Sequence, residues 1–178
     1  MRRAWASVDS RMSVRLAVTR DVGWSLGPGR GYVGVVEFSA DGGMTDAAQT
    51  LLGLIEHPRY HDDYLTQDSE TNSIPGAHGP YLLDRITPEN FVRISREDVA
   101  RRLARFAREA APVPIDENGR RAILEEAAGL DRDAYAYELI AGPDQPQHEL
   151  GWSIGSFEEF VLIDPDGTRV VLIVAVVD

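Results

Sequence analysis

This sequence predicts an α+β domain: a single-layer, mainly antiparallel sheet with about three helices packed on it and a C-terminal β-hairpin at its centre. Three observations lead there. Residues 159–177, EFVLIDPDGTRVVLIVAVV, are two apolar, largely β-branched runs joined by Asp164-Pro165-Asp166-Gly167. Proline presets the first turn angle and glycine accepts the left-handed one, which is the chemistry of an antiparallel hairpin. Residues 170–177 are apolar at every position, so that strand needs cover on both faces and belongs in the sheet interior. Two further stretches, 44–55 and 95–110, carry apolar residues at helical spacing instead.

The remaining elements follow in chain order. Residues 1–11, MRRAWASVDSR, have no apolar run behind their arginines; a loose arm is expected there rather than a secretory signal, with a cytoplasmic location. Residues 12–178 are expected to form one domain, since no second composition regime appears. Strands at 13–19 and 32–38 make an opening hairpin around GWSLGPGRG. Thr45 is the expected N-cap of the first helix, with Asp46 in its first turn, Met44, Ala48, Leu51, Leu52 and Ile55 on its apolar face, and Pro58 ending it. From His57 to Pro80 the chain is polar and aperiodic, and a long loop of this kind is where a site is expected.

Ser95 and Asp98 form a capping-box-like start to the second helix, whose Val99, Leu103, Phe106 and Ala110 share a stripe. Arg101, Arg105 and Arg108 lie opposite, as a solvated face with pairs such as Asp98–Arg102 and Arg105–Glu109, or as an anion contact. A third helix is expected over 118–128, with Gly129 as its left-handed cap. AYAYELI at 134–140 fits either a strand, by its alternation, or a helix.

Composition excludes much chemistry. At 178 residues the chain is long enough to bury roughly two-thirds of its unfolded surface in one core. The absence of cysteine removes disulfides, thiolate nucleophiles and cysteine-ligated zinc. All 18 basic side chains are arginine, so Walker, kinase, Schiff-base and Ser-x-x-Lys chemistries lack their ammonium group. The net charge of −11 repels phosphate backbones and anionic lipid, so neither nucleic acid nor membrane is expected as a partner. Residues 116–159 hold eleven Asp/Glu against three Arg, a local −8 that serves either as a solubilising face or as a dock for a cationic partner.

Two pentapeptides, GWSLG at 23–27 and GWSIG at 151–155, match Gly-x-Ser-x-Gly. No histidine follows Ser153, and Ser25 precedes a loop and strand rather than a helix, so the nucleophile-elbow reading fails. Packing of Trp24 and Trp152 over the sheet is preferred to duplication, with indoles anchoring a partner as the functional variant. EHPRYHDDY at 56–64 is the densest ligand cluster, and His57, His61 and Asp63 are its candidate metal ligands, although Pro58 prevents the two histidines from sharing a helical face. His78 is a more distant ligand or a turn residue, and His148 is expected in solvent. Tyr60, Tyr64 and Tyr81 flank the same acidic loop, either tacking it to the body or, since aromatics among acids suit such contact, meeting a basic protein.

The resulting expectation is a non-enzymatic binding protein without cofactor, engaging a basic macromolecule through Tyr60, Asp62, Asp63, Tyr64, Trp24 and Trp152. Its composition is shared with inhibitor and immunity proteins of bacterial type. The alternative is a metal-dependent hydrolase or small-ligand-binding protein centred on residues 56–63.

Overall fold

The computed structural model describes residues 14–25, 31–41, 46–62, 64, 74–109, 118, 121, 122, 125, 134–140 and 146–177. The arm expected over 1–11 lies outside them. Six strands form one antiparallel sheet: β1 (Arg15–Ser25), β2 (Tyr32–Asp41), β5 (Phe91–Ile94), β6 (Tyr135–Leu139), β7 (Ser156–Ile163) and β8 (Arg169–Val177), in the order β1-β2-β8-β7-β6-β5. The expected hairpin therefore supplies the two central strands. At its turn the Gly167 amide donates to the Asp164 carbonyl at 2.8 Å, and Gly167 has φ +71°. Residues 134–140 resolve as strand β6, as their alternating tyrosines favour. A two-stranded hairpin, β3 (Ala77–His78) with β4 (Tyr81–Leu82), lies outside this sheet.

Two α-helices are found among the described residues, α1 (Ala47–Ile55) and α2 (Arg96–Glu109), where about three were expected. The segment expected to supply the third, 118–128, lies mostly outside the described residues. The helices do not share a layer. Along β8, Val171, Ile173 and Ala175 pack with Val99, Leu103, Phe106 and Ala107 of α2, whereas Val170, Leu172, Val174 and Val176 pack with Leu51, Leu54 and Ile55 of α1. Strand side chains alternate between faces, so an uninterrupted apolar strand needs a cover on each side. The single-layer expectation is corrected accordingly: a broad sheet runs between two helical layers.

Local capping explains where the helices start. The Asp46 side chain accepts the Ala48 amide at 3.3 Å, making Asp46 the N-cap rather than Thr45, which lies outside the described residues. Ser95 Oγ accepts the Asp98 amide at 3.1 Å, as the capping-box spacing predicts. Asp98 pairs with Arg101 and not with the expected Arg102. Arg101 bonds Asp98, while Arg102 reaches Glu138 at 2.5 Å and Glu158 at 3.2 Å, and Arg105 reaches Glu158 at 2.8 Å. Glu138 and Glu158 project from β6 and β7 into the helix–sheet seam, where they are more shielded than surface partners on α2 itself.

On the α2 side, Glu37 of β2 joins its two neighbouring strands: Arg20 of β1 lies 2.8 Å and Arg169 of β8 3.1 Å from its carboxylate. Burial alone would raise the Glu37 carboxyl, but the two guanidiniums hold it below the ordinary carboxylate range. A depressed carboxyl stabilises the fold above its unfolded value, near 4.3, and loses that contribution as acid protonates it. We expect Glu37→Gln to lower stability by about 1 kcal/mol at pH 7, with the difference from wild type vanishing in denaturant melts taken at progressively lower pH.

Candidate functional site

Within the apolar run of β7, FEEFVLI, two successive glutamates must face opposite sides of a sheet that is covered on both. Glu158 goes to the α2 side and its arginines. Glu159 goes to the α1 side and is buried, and there it needs partners that keep a carboxylate out of contact with apolar atoms. Tyr60 supplies one. After α1, Pro58 opens a 3-10 turn (Pro58–Tyr60) that carries the Tyr60 ring under the sheet, where Oη donates to Glu159 Oε1 at 2.8 Å. His78, on β3, supplies the other, with Nε2 2.5 Å from Glu159 Oε2. Its Nδ1 donates to the Tyr60 carbonyl oxygen.

A backbone carbonyl only accepts, so His78 Nδ1 carries a proton, and Nε2 and Glu159 share the remaining one. The His78 ring stacks on Tyr60 with centroids 3.6 Å apart and 9° between planes; Tyr64 and Phe157 meet it edge-on at 5.6 and 5.8 Å. Tyr60 and His78 are fully enclosed. The group therefore has the membership of an acid–base relay, but every polar atom in it is already matched to another and no face is open to a reactant. Burial, followed by the nearby Glu159 charge, pushes the Tyr60 phenol well above its ordinary value. Burial, then Asp62 and Glu159, does the same to the half-buried Tyr64.

The β3–β4 hairpin that brings His78 inward also joins two distant segments. The Gly79 amide donates to the Asp62 carbonyl at 2.8 Å, and the Gly79 carbonyl accepts from His148 Nε2 at 2.9 Å. His148 Nδ1 accepts the Leu150 amide at 3.2 Å, which places the ring proton on Nε2. Next comes a 3-10 turn (Gly151–Ser153): the Gly151 amide bonds the His148 carbonyl at 3.0 Å, and both the amide and hydroxyl of Ser153 bond the Leu150 carbonyl, at 3.0 and 2.8 Å. Gly151 is required by close approach, since a Cβ there would stand 2.5 Å from the Pro80 carbonyl oxygen. This clamped turn displays Trp152, 76% exposed, with Leu150 at 43% and Glu149 also at the surface.

Asp62, on the other side of the hairpin, is less available than its charge suggests. Oδ1 accepts the Tyr64 amide and Oδ2 accepts Arg59 Nη1, each at 3.0 Å. Arg59 also grips Asp21 of β1 through Nε at 2.6 Å and Nη2 at 3.2 Å, and these carboxylates, Asp21 foremost, raise its pKa still further. Tyr64 itself sits at φ +53°, uncommon for a residue with a side chain.

The residues expected from sequence are thus partly brought together. Asp62, Tyr64 and Trp152 surround one hairpin. Tyr60, expected at the surface, is instead the wall of the buried cluster, because its hydroxyl serves Glu159. Trp24 packs with Val22 against the α2-side core, on the opposite face from this hairpin. Asp63 lies outside the described residues. His148, expected in solvent, is buried at 6% exposure as the clamp of the Trp152 turn. The twin pentapeptides have unlike backbones: Gly23, Trp24 and Ser25 end strand β1, whereas Gly151–Ser153 is a 3-10 turn. They share letters and no structural role. Of the metal candidates, His57 Nδ1 accepts the Arg59 amide at 3.0 Å and His61 Nε2 lies 3.2 Å from the Ile55 carbonyl, and no metal-holding group of three His, Asp or Glu occurs among the described residues.

Glu159, His148, Arg59 and Leu150 were not singled out as site residues by sequence. The paired glutamates inside an apolar strand are the one signal that foretells a buried carboxylate. Comparison with protein-family models, with curated proteins and with solved structures finds no match for this chain. No helix among the described residues is long and apolar enough to cross a membrane.

The raised phenols have a direct consequence. The fold keeps Tyr60 and Tyr64 protonated where the unfolded chain, with a value near 10, releases those protons, so their contribution is intact below that pH and is lost as pH climbs past it. Spectrophotometric titration should show these two phenols ionising only together with loss of near-ultraviolet circular dichroism, and Tyr60→Phe should make alkaline unfolding less steep in pH. Reversible ionisation of every tyrosine in the folded protein would contradict the burial.

Proposed function

We propose that this protein is a non-enzymatic binding protein that engages a basic protein partner, with Trp152 as its anchor, Leu150 beside it, Glu149 as its acidic neighbour, and the Arg59-paired Asp62 across the hairpin. One observation carries the reading: a large indole stands 76% exposed on a turn held by hydrogen bonds on both sides. Tryptophan is enriched among the residues that dominate binding energy, and a fixed one loses little freedom on contact. The net charge of −11 favours a cationic partner and disfavours nucleic acid.

A catalytic role has less support, since the histidine, glutamate and tyrosine that would perform acid–base chemistry are enclosed and matched to one another. The metal-dependent alternative at 56–63 has less support, because Arg59 holds Asp62 and no metal-holding group of three His, Asp or Glu occurs among the described residues.

Affinity capture with the purified chain, followed by titration of the captured protein, tests this. Trp152→Ala should weaken binding by about 2 kcal/mol or more, roughly thirtyfold, with an unchanged melting temperature, and added salt should weaken it further. Equal binding by wild type and Trp152→Ala, or a partner of acidic character, overturns the reading.

A further inference from the structure

The binding surface and the buried Glu159 cluster are connected by a short path. From Glu159 the route passes to His78 at 2.5 Å, along β3 to the adjoining Gly79 peptide, and from the Gly79 carbonyl to His148 Nε2 at 2.9 Å. His148 then holds the Leu150 amide through Nδ1 and the Gly151 amide through its carbonyl, at 3.2 and 3.0 Å. The amide of the same residue, in the preceding peptide unit, holds the Asp62 carbonyl at 2.8 Å. One residue of the hairpin, Gly79, is therefore bonded at once to the segment carrying Asp62 and to the turn carrying Trp152.

Besides these bonds, the hairpin is held by the packing of Tyr81 on Phe157 and by a handful of backbone links. Its two strands contain two residues each, a length that is not stable alone, and its further backbone links are Leu83 to Gly76, Leu82 to Pro146, the His148 amide to the Pro80 carbonyl at 3.1 Å, and the bridge between Tyr81 and Gln147. His78 is the one fully buried polar side chain that it sends under the sheet.

We propose that His78 is a positioning residue for the binding surface. Its contacts with Glu159 and the Tyr60 carbonyl lock the hairpin in place, and the locked hairpin presents the Trp152 turn and Asp62 as one preorganised unit. Without this lock the turn opens locally while the sheet stays folded. By reciprocity, a partner seated on Trp152 strengthens the lock, so occupancy of the surface and order at His78 report on each other. The inference rests on the reading of Trp152 as an anchor for its purpose, but its physical content concerns the free protein.

Amide hydrogen exchange on the unliganded protein, corrected for intrinsic rates, provides the test. In His78→Ala and Glu159→Ala, protection of the Gly79, Gly151 and Ser153 amides should fall at least about tenfold, while amides of β2, β8 and α2 keep wild-type protection relative to global stability. Glu159→Gln should restore most of it, because the amide keeps an acceptor for Tyr60 and offers a donor to the neutral His78 ring. Tyr60→Phe removes one hydroxyl only and remains informative if the alanine variants do not fold; it should cause a smaller loss at the same three amides. Loss spread evenly over the sheet, or unchanged Gly151 and Ser153 protection when Gly79 is exposed, overturns the proposal. These outcomes involve no partner, so failure of Trp152→Ala to alter binding is read separately.

Discussion

A carboxylate enclosed in the core is the constraint from which the α1 side of this molecule is organised. Glu159 cannot be left bare: stripping an ionised carboxylate of water costs several kcal/mol unless hydrogen bonds replace the solvent. Both its oxygens are engaged, one by the Tyr60 hydroxyl and the other by the His78 ring. Those donors come from segments with little regular structure of their own, a single 3-10 turn and a hairpin of two-residue strands. The requirement to satisfy Glu159 therefore decides where residues 57–62, 64 and 74–82 lie. Removing one donor leaves a buried charge half-matched, a larger penalty than the loss of one ordinary hydrogen bond.

The same dipeptide organises the other layer. Because side chains alternate along a strand, Glu158 points away from Glu159 and meets Arg102 and Arg105 on α2. Arg102 also spans to Glu138 and lies over the Phe160 ring at 5.1 Å. This changes the meaning of the acidic stretch at 116–159. Among the described acids of that stretch, Glu138, Glu158 and Glu159 are used internally, whereas Glu125 and Glu149 stand exposed, Glu149 beside the Trp152 turn. At those three internal positions formal charge overstates the anionic surface, just as Arg59 neutralises much of Asp21 and Asp62. An aromatic contact with a modest acidic border fits these facts better than an acidic face alone.

What sequence made legible was local. The β7–β8 hairpin was readable because Pro165 and Gly167 specify its turn and because β8 has no polar residue between Arg169 and its end. The starts of α1 and α2 were readable to within a residue or two from Asp46, Ser95 and Asp98. The pairing of His78 with Glu159, 81 residues apart, left no local trace, since β3 is too short to show a period. His148 misled for a related reason: a histidine among Asp, Gln, Pro and Glu resembles a solvated loop until the carbonyl of Gly79 arrives to bury it. The number of layers was implicit in residues 170–177, whose apolar side chains on both faces already required two covers.

The contrast between the two tryptophans of the repeated pentapeptide shows how context decides the use of an identical motif. At Trp24 the chain is an edge strand, and the indole turns inward against the α2-side core, where it contributes buried apolar area. At Trp152 the chain is a tight turn whose backbone groups are engaged with His148, Leu150 and the neighbouring Pro80, so the side chain has no route into the sheet. Leaving an indole in water forgoes roughly 2 to 3 kcal/mol of burial, a sizeable fraction of a domain's net stability. A turn clamped this firmly holds that loss in place instead of folding it away. Rigidity and exposure together are the property that distinguishes a binding anchor from an incidental surface residue, because the ordering has been accomplished by folding and the apolar area remains available to a partner.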